Sequence, residues 1–269
     1  MILLSHLLFM KNKLNQDKKI AFKQSGYLLE KGLFKQSEAV VFEQEFDKII
    51  SQLKKSGENI NARWGSDLTK KLESQKSKVI HTHNVQSFSS IMLDMVKNKN
   101  LLKIAESLIG PDIILHHTKL FLKPPRIGSA FPLHQDWSYF PTEKNTMIAA
   151  LVHISDSTEN MGRFRLIPKS NNLGKIKNSD GHSFVKKIHG EYSLDSASPI
   201  EARRGDVLFF HSYTLHGSMP NKSDKPRKTI LIQLYSGKDK IIKGNQHTNV
   251  QLVLKGWNYK STRKTAENI

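Results

Sequence analysis

The sequence predicts a mainly β protein with flanking helices. Two amphipathic helical segments lie within the first 110 residues, and short apolar runs separated by turn-forming residues follow them. Many short strands punctuated by turns are typical of a sandwich or a barrel. The 269 residues contain no internal repeat and no low-complexity linker, so we expect residues 17–269 to form a single domain.

The two helical segments are recognised by the spacing of their apolar side chains. The first is predicted over residues 37–53, with Ser37 as its N-cap. The second is predicted over residues 100–109, with Asn100 as its N-cap and Gly110-Pro111 as its stop signal. Each helix therefore has one apolar face with which to pack on the β body.

Four apolar runs after Pro111 predict the main strands of that body. They span residues 113–122, 147–154, 207–210 and 229–235. Turn-forming residues fill the gaps, for example at Lys123-Pro124-Pro125 and at Arg204-Gly205-Asp206. The chain therefore reads as helices packed on a β-rich body.

The chain is strongly basic, with 42 Lys and Arg against 24 Asp and Glu and a formal net charge of +18. The lysines are scattered from Lys11 to Lys264, and no basic run is interleaved with aromatic residues. We interpret the lysines as a solvated surface. The charge is the sole argument for nucleic-acid binding, and we do not expect such binding. The excess of positively charged residues slightly favours an anionic small-molecule substrate.

Cysteine is absent, which excludes disulfides, thiolate zinc sites and cysteine nucleophiles. Any metal must then be held by histidine, carboxylate and water, and the chain has 12 histidines. No apolar run approaches the roughly 20 residues that span a bilayer, so no membrane association is expected.

Residues 1–16 are predicted to form an extension, with disorder as one interpretation. The opening stretch MILLSHLLFM is apolar, but no basic residue precedes it and no small-residue cleavage site follows it. We therefore disfavour a secretory signal. Together with the lack of cysteine, this favours a cytoplasmic location.

The pair His134 and Asp136 is the first candidate for chemistry. Residues two apart in an extended chain point to the same side, so both can bind one ion. His216, in a later apolar run, can supply a third ligand. Two histidines and one carboxylate on one face of an octahedron suit Fe(II), because three positions stay open for a bidentate cosubstrate and O₂.

The bare His-x-Asp motif is weak evidence, and its neighbours make it stronger. Arg227 follows His216 and presents a planar fork that binds a carboxylate with two hydrogen bonds. Ser218 can add a hydroxyl donor on the same side as His216. His211 is the alternative third ligand, although we expect a packed or hydrogen-bonded histidine there.

In combination, these motifs resemble the phytanoyl-CoA dioxygenase family. The resemblance covers roughly residues 17–237. The motifs that carry it are His134-Gln135-Asp136, Trp137-Ser138-Tyr139-Phe140-Pro141, Leu215-His216-Gly217-Ser218, Asn221-x-Ser223-x-x-x-Arg227, Gly110-Pro111, His117-Thr118-Lys119, Lys123-Pro124-Pro125 and Ser25-Gly26-Tyr27-Leu28-Leu29.

The resemblance implies a double-stranded β-helix, which is a cupin-like jelly roll, and an Fe(II)- and 2-oxoglutarate-dependent oxygenase. It implies that a small-molecule substrate is hydroxylated with O₂ while the cosubstrate is converted to succinate and CO₂. It makes His134, Asp136 and His216 the iron ligands, and it assigns the distal carboxylate of 2-oxoglutarate to Arg227, with Ser218 beside it. Family positions that touch the cosubstrate fall on Lys119 and Asn84.

The sequence departs from the family pattern over residues 162–171, where a Gly-Cys-Leu-x-x-x-Pro-Gly-Ser-His stretch is usual. Arg163, Lys169 and Asn171 replace its cysteine, its second glycine and its histidine. The lysine replaces a residue that tolerates positive φ, so we expect an altered turn. The departure keeps open an alternative function, a non-catalytic metal-binding β-barrel module of the same fold.

The remaining candidates concern substrate and pocket. Trp137 and Tyr139 are substrate-contact candidates that could equally cover the barrel, and Arg163 could meet an anionic substrate or stay solvated. His81 and His83 are expected at the surface or on a pocket wall. Neighbouring residues of a strand point to opposite faces, so His116 and His117 are expected to diverge. The substrate and the oligomeric state are not readable from the sequence.

Overall fold

The computed structural model describes residues 16–242 and 247–267 of the chain. Eleven strands form two antiparallel sheets within these residues. The strands are β1 (Tyr27–Glu30), β2 (Ile80–His83), β3 (Ile113–Lys123), β4 (Phe131–His134), β5 (Ile148–His153), β6 (Phe164–Leu166), β7 (Ser198–Pro199), β8 (Val207–His211), β9 (His216–Ser218), β10 (Arg227–Ser236) and β11 (Leu252–Lys255).

The larger sheet has seven strands in the order β1-β8-β5-β10-β3-β11, with β2 also paired to β3. The smaller sheet has four strands in the order β4-β9-β6-β7. All four apolar runs singled out in the sequence lie in strands of the larger sheet, namely β3, β5, β8 and β10. The predicted mainly β body is therefore confirmed.

The two faces of β10 show how the larger sheet divides the molecule. Ile230 and Ile232 belong to the core shared with the helices, whereas Arg227, Thr229 and Leu231 line a cavity on the opposite face. Alternate residues of a strand point to opposite faces, so one strand serves both the core and the cavity.

Five α-helices complete the described part of the chain, apart from a further helical segment at residues 16–25. They are α1 (Gln36–Lys55), α2 (Ser90–Val96), α3 (Lys99–Ile109), α4 (Lys186–His189) and α5 (Arg263–Ala266). Apolar side chains of the first three form one core with the outer face of the larger sheet. No helix among the described residues is long and apolar enough to cross a membrane.

Both predicted helix starts are wrong by one residue. Helix α1 begins at Gln36, and the carboxylate of Glu38 accepts a hydrogen bond of 2.8 Å from the backbone N–H of Lys35, so Ser37 is not the cap. Asn98 caps α3, because its side chain accepts from two backbone N–H groups of the first turn and Asn100 already lies inside the helix. The stop at Gly110 is confirmed, with φ +100°.

Lys169 keeps the left-handed conformation that a glycine would favour, with φ +65° and ψ 1°. The expectation of an altered turn at this residue does not hold, because the lysine itself adopts positive φ. A non-glycine residue adopts this conformation at a cost of about 1–2 kcal/mol. The short helical turn Ser170–Leu173 follows directly.

Candidate active site

The three proposed ligands lie at one end of the smaller sheet. In the antiparallel pairing of β4 with β9, His134 lies directly opposite His216. Asp136 follows β4 and begins a short 3₁₀ turn that brings its carboxylate back beside the two imidazoles. The structure therefore brings together residues that are far apart in the sequence.

Their ligand atoms converge. The Nε2 atoms of His134 and His216 lie 3.8 Å and 3.5 Å from Oδ1 of Asp136, and the two imidazole rings are 4.1 Å apart. One ligand atom from each residue lies within 4.8 Å of the others. All three side chains are buried. The group is compact enough to hold one metal ion.

Backbone carbonyls orient both imidazoles. Nδ1 of His134 lies 2.8 Å from the carbonyl oxygen of Pro132, and Nδ1 of His216 lies 2.9 Å from that of Thr214. A carbonyl only accepts hydrogen bonds, so Nδ1 carries the proton in both rings and Nε2 keeps a free lone pair. These contacts prepare the histidines as metal ligands.

Asp136 is oriented by a residue that the sequence analysis missed. The side-chain amide of Gln233 donates a hydrogen bond of 2.6 Å to Oδ2 of Asp136. That contact leaves Oδ1 directed at the histidines. Gln233 lies on β10, opposite His117 of β3, so only the pairing of the sheet places it here.

Burial shifts the protonation of the three ligands. It lowers the pKa of His134 to about 3, helped by His216, and it lowers the pKa of His216 to about 4. Burial also raises the pKa of Asp136, an effect that His134 and Gln233 oppose. Both imidazoles are therefore neutral at physiological pH, as metal coordination requires.

A cavity of about 240 Å³ opens beside the ligands. Its walls are largely apolar, with Phe121, Leu151, Phe164, Phe210 and Leu231 among the lining side chains. Such a wall excludes water and strengthens the electrostatic interactions inside. Trp64, which the sequence analysis also missed, lies edge-on to His134 with ring centroids 4.7 Å apart.

Arg227, Ser218 and Thr229 line one end of this cavity. The guanidinium of Arg227 donates from Nη1 to the backbone carbonyl of Gly162, and its Nε has no partner within the described residues. Burial lowers the pKa of Arg227 to about 10, so it stays charged at neutral pH. A buried guanidinium with spare donors is suited to a carboxylate ligand.

A second buried basic side chain lies behind this end of the cavity. Lys123 is opposite Arg227 in the pairing of β3 with β10, and its side chain is fully buried. Its Nζ donates hydrogen bonds of 2.6 Å to Oγ of Ser218 and to the carbonyl oxygen of Met219. Burial and Arg227 lower the pKa of Lys123 well below its ordinary value. No role for this lysine was predicted from the sequence.

The other predicted site residues divide into two groups. Lys119, expected to touch the cosubstrate, and Tyr139, a candidate for substrate contact, both line the cavity. Asn84 does not line it and lies before the short helical turn Val85–Ser87. The ring of Trp137 lies under the ammonium of Lys175, away from the cavity lining.

Arg163 also lies outside the cavity lining, because it pairs with two acidic side chains. Its guanidinium lies 2.5 Å from a carboxylate oxygen of Glu159 and 3.7 Å from one of Glu201. His211 is likewise occupied, since its Nε2 lies 3.0 Å from the carbonyl oxygen of Asn145. The preference for a hydrogen-bonded histidine at this position agrees with the structure.

The expectation for His116 and His117 is wrong. A bulge in β3 shifts the register with β10 at this point. His117 pairs with Gln233 and Leu115 pairs with Leu234, so His116 is the extra residue between them. A bulge places two successive side chains on one face of a strand. The Nδ1 atoms of the two histidines consequently lie 2.6 Å apart.

Solved structures with the same fold include non-haem oxygenases. SnoN, an epimerase crystallised with Fe³⁺, alpha-ketoglutarate and nogalamycin RO, matches with a TM-score of 0.71 and 16% identity over 91% of this chain and 100% of that one. EctD from S. alaskensis matches with a TM-score of 0.67 and 17% identity, over 90% of this chain and 84% of that one. The jelly-roll fold is thereby confirmed.

Sequence comparison identifies the family. The chain is 30% identical over 259 residues to the peroxisomal phytanoyl-CoA dioxygenase of Homo sapiens, across 89% of this chain and 74% of that protein. It is 26% identical over 184 residues to the L-proline trans-4-hydroxylase of Streptomyces griseoviridis, across 60% and 69%. These relatives confirm the expected enzyme class, a dioxygenase or hydroxylase. Because the family model described as Phytanoyl-CoA dioxygenase (PhyH) matches residues 22–229, the chain belongs to the phytanoyl-CoA dioxygenase family.

Proposed function

We propose that this dioxygenase uses Fe(II), 2-oxoglutarate and O₂ to hydroxylate a small-molecule substrate, with release of succinate and CO₂. His134, Asp136 and His216 hold the iron, and Arg227 binds the distal carboxylate of 2-oxoglutarate with Ser218 beside it. The observation that carries the proposal is that the three convergent ligands line the same cavity as a buried arginine.

The residues present fit an iron ion of this kind. Two neutral imidazole nitrogens and one carboxylate oxygen form the donor set that leaves positions open on Fe(II). The ligand atoms converge beside the cavity without any further acidic side chain from the lining. When bound, Fe(II) supplies the activation of O₂, coupled to the oxidative decarboxylation of 2-oxoglutarate.

The protein supplies geometry and electrostatics. The carbonyls of Pro132 and Thr214 fix the histidine tautomers, and Gln233 fixes the carboxylate of Asp136. Arg227 orients the cosubstrate by its distal carboxylate, because a charge-assisted hydrogen bond in a dry site is both strong and directional. The apolar walls keep bulk water from the reacting atoms.

The test is anaerobic addition of Fe(II) and then 2-oxoglutarate, with the visible charge-transfer band of the chelate as readout. We expect the band in the wild-type protein and its loss in His216→Ala. In Arg227→Ala the band should require about 100-fold more 2-oxoglutarate, since a buried charge-assisted contact is removed. Iron content, measured separately, shows whether a lost band reflects lost metal.

The alternative, a metal-binding β-barrel module without catalysis, predicts bound iron and no band. Turnover distinguishes the two further, because Asp136→Ala should abolish succinate release with any accepted substrate. Full turnover in Asp136→Ala would contradict the ligand assignment. A cytoplasmic location stays a prediction, since one relative is named as peroxisomal.

A further inference from the structure

Histidines gather beside Lys119, and two of them, His81 and His247, line the cavity. In the pairing of β2 with β3, His83 lies opposite Lys119 and His81 lies opposite Phe121, so these side chains share one face of the sheet. The rings of His81 and His83 are 5.2 Å apart, and those of His83 and His117 are 5.7 Å apart. The pattern places three imidazoles beside one lysine.

His247 completes this group, which we name the histidine wall (His81, His83, His117 and His247). Its ring lies 4.7 Å from that of His83 and 5.5 Å from that of His117. Its Nε2 lies 3.3 Å from Nζ of Lys119. A charged ammonium only donates, so Nε2 of His247 accepts this hydrogen bond from Lys119.

Three ring nitrogens of the histidine wall are available for further hydrogen bonds. Nδ1 of His81, Nε2 of His83 and Nε2 of His117 are buried and have no hydrogen-bond partner within the described residues. Burial, together with Lys119, lowers the pKa of His83 to about 3 and that of His247 to about 4. The rings are therefore neutral, and His81, which lines the cavity, can present its Nδ1 as an N–H donor to an acceptor there.

The wall lies apart from the end of the cavity that Arg227 occupies. In the pairing of β3 with β10, Arg227 is opposite Lys123, whereas Lys119 is opposite Leu231. A separation of four residues along a strand corresponds to about 13 Å. Arg227 and Lys119 therefore leave the sheet at well-separated points, and we assign them different ligand groups.

The charges of the loaded site leave Lys119 unmatched. Asp136 is the only carboxylate among the described residues that line the cavity. The charges of Fe(II) and Arg227 are balanced by dianionic 2-oxoglutarate and Asp136. Lys123, the other buried lysine near the cavity, already donates hydrogen bonds to Ser218 and Met219, and burial together with Arg227 lowers its pKa well below its ordinary value. An uncompensated buried ammonium is unfavourable, and a ligand that brings a negative charge relieves it.

On the basis of the proposed function, we propose that the substrate carries an oxyanionic group, a carboxylate or a phosphate, which binds to Lys119 and the histidine wall. This role for Lys119 replaces the cosubstrate contact that the family resemblance implied. Binding at this wall orients the substrate from the side of the cavity opposite Arg227. A second metal ion is not the expected occupant, because within the described residues only His134, Asp136 and His216 have converging ligand atoms.

The test compares head groups on one apolar tail. Hexanoate, hexyl phosphate and hexan-1-ol are titrated by calorimetry into the protein loaded anaerobically with Fe(II) and 2-oxoglutarate, so that the metal and Arg227 are occupied. We expect at least one acid to bind about tenfold more tightly than the alcohol, as charge-assisted hydrogen bonds predict. The tighter acid distinguishes a carboxylate from a phosphate.

Two variants test whether the preference for acids over the alcohol depends on Lys119. Lys119→Met should reduce it to less than about threefold, whereas Lys119→Arg, which keeps the charge, should retain most of it. Lys175→Met is the matched control, because Lys175 also lies 5.7 Å above an aromatic ring, at Trp137, but outside the cavity lining. The control should keep the full preference.

Two outcomes would overturn the proposal. One is equal affinity for acids and alcohol in the wild-type protein, and the other is a preference that survives in Lys119→Met. Failure of the proposed function gives a different result, namely that the chelate band is absent from the wild-type protein. The same titration without iron then still shows whether the preference for acids depends on Lys119.

Discussion

Nζ of Lys123 donates a hydrogen bond of 2.6 Å to the hydroxyl oxygen of Ser218, and both side chains are cut off from solvent. Because that oxygen accepts from the lysine, the hydroxyl proton of Ser218 is free to be donated into the cavity. The contact therefore makes Ser218 a donor toward the end of the cavity that Arg227 occupies. Lys123 acts here as a positioning residue.

We expect Lys123→Met to weaken 2-oxoglutarate binding about tenfold while iron binding stays unchanged, since one oriented hydrogen bond to a charged ligand is lost. The midpoint of the anaerobic chelate band measures the affinity. Ser218→Ala and the double variant complete a double-mutant cycle. If Lys123 acts through Ser218, the two effects are not additive, and full additivity would contradict this role.

Gly162 supports Arg227 through its backbone. It has φ +67°, and a Cβ placed on it would collide with the carbonyl oxygens of Met219 and Pro220. We expect Gly162→Ala to lower the free energy of unfolding by about 1–3 kcal/mol and to weaken 2-oxoglutarate binding, because the carbonyl that accepts from Arg227 must move.

Gly57→Ala is the control for this variant. Gly57 also has a positive φ, +74°, but no neighbouring atom lies within 4 Å of the position that a Cβ would take. It therefore measures the conformational cost alone, and chemical denaturation of both variants separates strain from collision. Equal losses of stability in the two variants would contradict the collision at Gly162.

Gln233→Leu tests how the carboxylate of Asp136 is held. Loss of the 2.6 Å hydrogen bond frees the carboxylate to rotate, so we expect metal affinity to fall about 10–100-fold. Competition with a chelator measures this affinity without turnover. Gln86→Leu, which removes a contact to Thr118 outside the cavity lining, should leave the affinity unchanged.

The pH dependence of substrate-analogue binding tests the charge on Lys119. Burial lowers its pKa to about 8, although Asp136 opposes this shift. The groups around it are His81 and His83 from β2, His117 from β3, and His247, which are neutral at this pH. Lys119 is charged below its pKa, so we expect the preference for hexanoate over hexan-1-ol to decline as the pH rises through about 8.

Lys119→Arg is the matched variant for that profile. A guanidinium stays charged far above pH 8, so the preference should persist across the range in which the wild-type protein loses it. Hexanoate stays ionised throughout, and any common change in tail binding cancels in the comparison with the alcohol. A parallel decline in both proteins would contradict the assignment to Lys119.

The family, the β body and the main residues of the candidate site could be predicted from the sequence because they depend on local signals. The periodicity of apolar residues marks strands and helices, and His134 with Asp136 forms a spaced motif that is readable in one segment. The order of the motifs along the chain, through the family resemblance, also led to His216 and Arg227. These signals are present in the sequence and do not depend on tertiary contacts.

Strand pairing decided the rest. It placed Gln233 against Asp136, Lys123 against Ser218 and, through a bulge, His117 beside His116. The tertiary structure also decided between open alternatives, because Asn84, Trp137 and Arg163 lie outside the cavity lining. Register and bulges follow from contacts between distant segments, and a shift of one residue reverses the face to which each side chain points.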